Sequence, residues 1–226
     1  MKLADLLREE LDVENQDTWE NERTPTPVRC FVVRLHSMGL SVREVEGVLA
    51  WLGVDRCYQA VWNWKEKLAE TQSDPPTATP SRVAVDEKQI EVDGEKKWFY
   101  AAIDTDSKFL LEVDVYSRRG TDPAAAFLHC LTEKHNVADT EFLVDAGGYL
   151  TALARQELSG QLNYTDRNHI EKWFQTVTMR IDRFHSFWQG SQSSAKRWLR
   201  RFRHYYNRNR PNQALDGRTP AEEVLN

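Results

Sequence analysis

The chain of 226 residues predicts an α/β protein in two parts, a small all-α domain followed by a larger mixed-sheet domain. Three observations carry that prediction. Apolar residues recur at spacings of three and four between Val28 and Leu68, which is helical periodicity. Strand-like runs rich in Val and Ile take over from Arg82. Between them, residues 71–81 lack apolar periodicity and contain three prolines, the composition of a stiffened linker.

The elements follow in chain order. Residues 1–25 carry eight acids and three bases, and Leu3, Leu6, Leu7 and Leu11 suit one short amphipathic helix. Pro25 and Pro27 punctuate the entry to the all-α domain, 26–70. Val28, Phe31, Val32 and Leu35 share one helical face. Ser41, with Glu44 three residues on, forms a capping box for a second helix bearing Val45, Val48, Leu49 and Leu52. Gly53 ends it, and residues 56–68 make a third helix with Ala60, Val61 and Trp64 inward. Three short helices with a tight second connection describe a helix-turn-helix. Its last helix would offer Arg56, Gln59, Asn63 and Lys67 to DNA bases or phosphates, or to solvent alone.

The second domain, 82–226, opens with three strands at about 82–92, 97–104 and 109–116. Asp93-Gly94 and the Asp104-Thr105-Asp106-Ser107 cluster between them are hairpin signals. Asp122-Pro123 opens a helix reaching Lys134. A strand at 141–144, a helix at 148–157, a strand at 161–164 and long helices near 168–188 and 193–207 complete a layered α/β domain.

Charge and composition narrow the function. The net charge is −5, unlike most DNA-binding domains, but residues 161–210 hold eleven Lys or Arg against three acids, a local +8. Screening makes the local field the one a polyanion meets. No apolar run approaches the ~20 residues that cross a bilayer, and the charged start is unlike a signal peptide. A soluble cytoplasmic, nucleoid-associated protein is the expectation. Cys30, Cys57 and Cys130 show no paired spacing, so buried spectator thiols are expected rather than a zinc site or disulfides.

Three carboxylates stand out. Asp86 falls mid-strand, on the face shared with Ala84, where an unpaired charge is costly. Asp145 follows Phe142-Leu143-Val144 at a strand's carboxyl end, where open α/β sheets build sites, and Gly147-Gly148 keeps the backbone after it accessible. Glu171 lies on the first turn of a helix behind Asn168-His169-Ile170. Converging carboxylates repel unless a cation neutralises them, and hard oxygen ligands suit Mg²⁺ or Mn²⁺. Two such ions about 4 Å apart activate a water or 3′-hydroxyl and stabilise the leaving oxygen of a phosphodiester. Each residue also has a plain structural role open to it: helix capping for Asp145, an ion pair for Asp86, a helix-dipole complement for Glu171.

Six segments in order, Val85-Asp86-Glu87, Trp98 to Asp104, Ser117-Arg118-Arg119, Leu143-Val144-Asp145, Asn168 to Lys172 and Tyr206 to Leu215, resemble DDE transposases. From about Pro27 the chain is similar to the insertion-sequence-six family, most of all to its short haloarchaeal members. That resemblance implies a ribonuclease H-like catalytic domain in which Asp86, Asp145 and Glu171 bind a two-metal Mg²⁺ or Mn²⁺ site. It also implies a homodimer that joins two element ends, with terminal inverted repeats and target duplex as partners. The interval from Asp145 to Glu171 is shorter than the family's usual one, and Glu157 and Asp166 are the nearest rivals for the third carboxylate. Asn168, three residues before Glu171, favours Glu171. Arg118 and Arg119 follow a strand end and suit a phosphate or a solvated turn; Lys172 suits target DNA; Arg197, Arg200 and Arg201 belong to a basic helix face that suits the DNA backbone. Two other readings stay open: a helix-turn-helix DNA-binding protein that no longer cuts, and a ribonuclease H-like recombination nuclease.

Overall fold

A computed structural model of the chain describes residues 23–71, 75–145, 147–163, 170–175, 179 and 190–225. It divides into two compact units, Met1–Ser73 and Asp74–Asn226. The expected helix around Leu3 to Leu11 lies outside the described residues, as do Asn168, His169 and most of the helix expected after them.

The first unit is three helices: α1 (Thr26–Ser37), α2 (Val42–Trp51) and α3 (Tyr58–Thr71). Pro27 sits in the first turn of α1, where its missing N–H is not needed. The capping box at α2 is formed: the Glu44 amide donates to Ser41 Oγ at 3.2 Å, and the Ser41 amide donates to Glu44 Oε2 at 2.7 Å. Val32, Val33, Val45, Leu49, Val61 and Trp64 make the core. Leu52 departs from the helical pattern and is 57% exposed, because α2 ends at Trp51 and the chain turns through Gly53 at φ +75°. Of the three cysteines expected to be buried, Cys30 is; Cys57 is exposed and Cys130 half-buried.

The second unit is a five-stranded mixed sheet between helices, built from β1 (Arg82–Val92), β2 (Glu95–Asp104), β3 (Leu110–Tyr116), α4 (Thr121–Lys134), β4 (Glu141–Val144), α5 (Gly147–Ala154), β5 (Gly160–Leu162), α6 (Gln192–Arg208) and α7 (Pro220–Leu225). The strand order is β3-β2-β1-β4-β5. The first three strands form an antiparallel meander, as their short turns require, while β4 joins β1 and β5 joins β4 in parallel. Period-two alternation sends Val83, Val85, Tyr100, Phe142 and Val144 to one face, against Phe127, Leu128 and Leu131 of α4 and Tyr149 and Leu153 of α5. Ala84, Phe99, Ala101 and Leu143 line the other face, against Ile170, Trp173 and Phe174 and against Trp198, Leu199 and Phe202 of α6.

Residues 78–81, expected to be linker, are built into this unit. Ala78 is buried; its amide donates to His135 Nδ1 at 3.1 Å, and its carbonyl accepts the Asn136 amide at 2.9 Å. Thr140 Oγ1 donates to the Pro80 carbonyl at 2.7 Å. Burial lowers the His135 pKa, favouring the neutral ring, whose Nδ1 accepts from Ala78 while Nε2 donates to the Leu111 carbonyl at 3.2 Å.

Helix α6 closes the outer edge of β3. Asn207 accepts the Leu110 amide and donates to the Leu110 carbonyl, both at 2.9 Å, as a neighbouring strand would. Gln192 donates to the Val115 carbonyl at 2.8 Å and Arg203 to the Leu111 carbonyl at 3.2 Å. Side chains of one helix thus take over backbone groups that an exposed edge would leave open.

Candidate active site

The parallel pairing of β1 and β4 sets two carboxylates side by side. Arg82 stands beside Glu141, Val83 beside Phe142 and Ala84 beside Leu143. Two residues further in the same register come Asp86 and Asp145. By alternation both belong to the face of Ala84 and Leu143, the one against which Ile170, Trp173 and Phe174 pack. β4 ends at Val144, so Asp145 leaves the sheet where Asp86 sits on the longer β1. A methyl group added at Gly147 would meet nothing within 4 Å among the described residues, so the start of α5 borders open space there.

Among the described residues, the metal-ligating groups that come together are Asp86, Glu87 and Asp145, with one ligand atom from each within 4.8 Å of the others. All three residues are half-buried. Glu87 is the residue that sequence reasoning did not single out. It follows Asp86 directly, and strand alternation assigns it to the opposite face, where Tyr149 donates its hydroxyl to Glu87 Oε2. The Glu87 amide meanwhile donates to Asp86 Oδ1 at 2.8 Å. Glu87 thus bridges the two faces at the level of the aspartates.

The tyrosine side of this arrangement is dry. Tyr149 is 3% exposed, and burial first, then the charge of Glu87, pushes its pKa well above the ordinary phenol value. Tyr100, whose ring centroid lies 6.2 Å from that of Tyr149, is pushed up to about 12 by burial and by Glu87, although the Gly120 amide donating to its oxygen at 3.3 Å works the other way. Both phenols stay protonated at neutral pH, so Tyr149 is a lasting donor to Glu87. Glu87, Tyr100, Arg119, Gly120 and Tyr149 line a cavity of about 310 Å³ beside the carboxylates.

The other expected site residues fall as follows. Glu171 is exposed and is not among the three grouped carboxylates. Its helical neighbours Ile170, Trp173 and Phe174 are buried, with Trp173 stacked on Phe99 at 5.6 Å between ring centroids; Glu171 and Lys172 are exposed, Glu171 on the flank about 100° round the helix from Ile170. Glu157 lies in a turn at φ +56°, and Asp166 is outside the described residues. Arg118 donates to Asp122 Oδ2 at 3.3 Å, and Arg119 lies over the Trp98 ring at 4.8 Å, on the rim of the cavity. The basic run of α6 divides: Arg200 is exposed and Arg197 half-buried, whereas Arg201 is only 3% exposed. In the first unit Gln59, Asn63 and Lys67 are exposed at successive steps of four on α3, with Gln59 donating to Asn63 at 3.3 Å. Arg56 precedes that helix and donates to Thr24 Oγ1 at 2.7 Å.

A divalent cation fits this donor set. Carboxylate oxygens are hard ligands, and their mutual repulsion at this spacing is relieved by Mg²⁺ or Mn²⁺. No described helix is long and apolar enough to cross a membrane.

No family model matches the chain. The chain is 24% identical over 193 residues to an uncharacterized protein of Methanocaldococcus jannaschii, an alignment covering 84% of this chain and 89% of that one. Among solved structures it is similar to the catalytic core domain of BIV integrase, at 15% identity and a TM-score of 0.49 over 65% of this chain and 95% of that one. It is also similar to the HTLV-2 integrase catalytic core domain, solved in complex with magnesium, at 9% identity and a TM-score of 0.46 over 69% of this chain and 100% of that one.

Proposed function

We propose that the chain is a DDE-type transposase of the insertion-sequence-six kind, which cuts and rejoins DNA with a divalent metal. The observation that carries this reading is the approach of Asp86, on β1, and Asp145, just past the end of the parallel strand β4, within a carboxylate group 4.8 Å across. The order of the five strands, an antiparallel meander extended by two parallel strands, suits a ribonuclease H-like catalytic domain.

Asp86 and Asp145 are the residues that would hold the cation. When bound, the metal would polarise a phosphodiester and favour a hydroxide-like nucleophile at neutral pH. The chain's own part is positioning. β1 carries Asp86, the end of β4 delivers Asp145 beside it, and the Tyr149 hydroxyl donates to one oxygen of Glu87. Glu171 remains the proposed third member of the triad, because its helix packs on the face of the sheet that carries both aspartates. The proposed DNA contacts are Gln59, Asn63 and Lys67 on α3, with Arg56 before it, for the terminal repeats; Arg118 and Arg119 beside the carboxylates; Lys172; and Arg197 and Arg200 of α6, while the burial of Arg201 takes it out of that basic face. A homodimer acting on two element ends in the cytoplasm completes the reading.

A strand-transfer assay with Mg²⁺ or Mn²⁺ and terminal-repeat duplex tests it. The transposase joins cut ends to target. Binding without cutting identifies a DNA-binding protein only, and cutting without joining or end preference identifies a nuclease. Glu171→Gln and Glu87→Gln, tested in parallel, decide the third carboxylate: the one whose loss abolishes cutting while leaving DNA binding intact holds the role.

A further inference from the structure

Helix α3 carries two aromatic side chains that the core of its own unit does not use. Val61 and Trp64 belong to the buried cluster, whereas Trp62 is 42% exposed and Tyr58 41% exposed. At about 100° per residue, Tyr58 and Trp62 stand about 40° apart and form one column along the helix. Gln59 and Asn63, also exposed, form a second column beside it, with Gln59 about 60° from Trp62. Both rings are held in place. Arg43 of α2 lies over the Tyr58 ring at 4.7 Å, and Lys65, paired with Glu66 at 3.7 Å, lies over the Trp62 ring at 5.8 Å. Glu44, next to Arg43, accepts the Ser41 amide.

The second column has hydrogen-bonding chemistry of a particular kind. Gln59 Nε2 donates to Asn63 Oδ1 at 3.3 Å, which ties the two amides into one unit. The ends left outward are one carbonyl, on Gln59, and one NH₂ group, on Asn63. Exchanging O and N in both amides reverses the bond and still leaves one acceptor and one donor outward. In the major groove, adenine shows an acceptor, N7, beside a donor, the N6 amino group. Guanine shows two acceptors and would set one of them against the Gln59 carbonyl, while cytosine shows a donor only. Adenine is therefore the base that satisfies the linked pair. Its partner thymine carries an apolar C5 methyl in the same groove, and the aromatic column beside the amides offers it an apolar contact.

We infer that α3 reads A·T base pairs in the major groove of duplex DNA, with Gln59 and Asn63 on the adenine edge and Trp62 and Tyr58 against thymine methyls. A protein surface seated on the same rings is the competing occupant, since Trp, Tyr and Arg are enriched in protein interfaces. The amide pair favours DNA. An apolar partner packed on the rings would cover the Gln59 carbonyl and the Asn63 NH₂ group without satisfying either. Charge alone does not select the ligand, because residues 55–67 carry three bases against two acids. The base edges do. The inference rests on the DNA-binding reading above and adds which base pair the first unit selects and through which side chains.

The full chain is used to select from duplexes with a randomised centre, and its binding to synthetic copies of the selected duplex is followed by anisotropy. The selected duplexes should share a fixed A·T pair. Replacing its thymine by deoxyuracil removes the methyl alone and should weaken wild type about fourfold. That loss should vanish in Trp62→Ala or in Tyr58→Ala. Asn63→Ala should lose at least about fivefold of the discrimination between A·T and G·C at that pair. The uracil comparison needs no variant, so it stands even where a substitution harms the fold. Selection without a fixed A·T pair, or wild type indifferent to the methyl, overturns the inference. So do folded variants that discriminate as wild type does. If Trp62→Ala instead dissociates a dimer in sedimentation and leaves duplex binding unchanged, the rings join two copies of the chain and the inference falls. A chain that reads A·T in this way but never cuts DNA upholds the inference and overturns the transposase reading. A chain that joins DNA without regard to these four side chains overturns the inference alone.

Discussion

The sheet holds acid in two places and treats it in opposite ways. On β3, Glu112 is 4% exposed and meets cations: Arg203 at 2.8 Å and Lys134, with its own Val113 amide donating to it at 2.9 Å. At the junction of β1 and β4, acids meet acids, since Asp86, Glu87 and Asp145 approach within 4.8 Å of one another. The first arrangement is complete within the fold, and removing a member strands a buried charge. The second stores repulsion that a cation would release. Stability and chemistry therefore sit in different parts of one sheet, and substitutions should separate them.

The sharpest separation comes from Asp145→Asn. It should lower metal-dependent strand cleavage on the order of 10³-fold while the melting temperature changes little. A lower melting temperature would show that Asp145 also holds the fold together. Glu112→Leu is the mirror case. It should cost ~3–5 kcal/mol in urea unfolding by leaving Arg203 buried and uncompensated. Adding Arg203→Met should restore most of that loss; no restoration would mean that the pair is not the source. Next in size, Gly160→Ala should cost ~1–3 kcal/mol through overpacking, because its Cβ would lie 2.4 Å from Leu153 Cδ1 and 3.0 Å from the Phe142 carbonyl. Thermal unfolding measures it directly. Tyr149→Phe should cost about 1 kcal/mol and is the mildest, since it removes only the hydroxyl given to Glu87.

High pH probes the same tyrosines without mutation. The Tyr100 pKa is raised from 10.0 to about 12, so the folded state holds its proton where the unfolded chain releases it. Stability should be level up to about pH 10 and fall as the pH climbs from there through about 12. Tyr100→Phe should flatten that fall in a series of thermal melts; an unchanged slope would place the alkaline sensitivity elsewhere.

What could be read in the chain before its structure follows the range of the interaction. The Ser41–Glu44 capping box spans three residues and was legible as written. So was the face of Asp86, because alternation along a strand is local. The register that sets Asp86 beside Asp145 was not legible, since parallel pairing across a helical crossover leaves no mark on either strand alone. Glu87 escaped for the opposite reason: alternation sends it to the far face, and only the end of β4 lets it reach the aspartates. On α6 the aromatic stripe was plain, but the buried arc is wider than that stripe. Arg203 and Asn207 turn inward to serve β3 across 91 and 97 residues, and Arg201 is buried with them. Polar residues used as distant partners look like solvent residues until the fold is known.

The closed edge of β3 has a consequence in time. The Leu110 amide and carbonyl wait for Asn207, 97 residues later in the chain. A ribosome adding ~5–20 residues per second needs about 5–20 s to deliver it. Throughout that interval the meander presents an open strand to any neighbour, including another nascent copy on the same message. Slow synthesis or a stall before α6 should therefore raise aggregation, and the last helix acts as the step that makes the sheet safe.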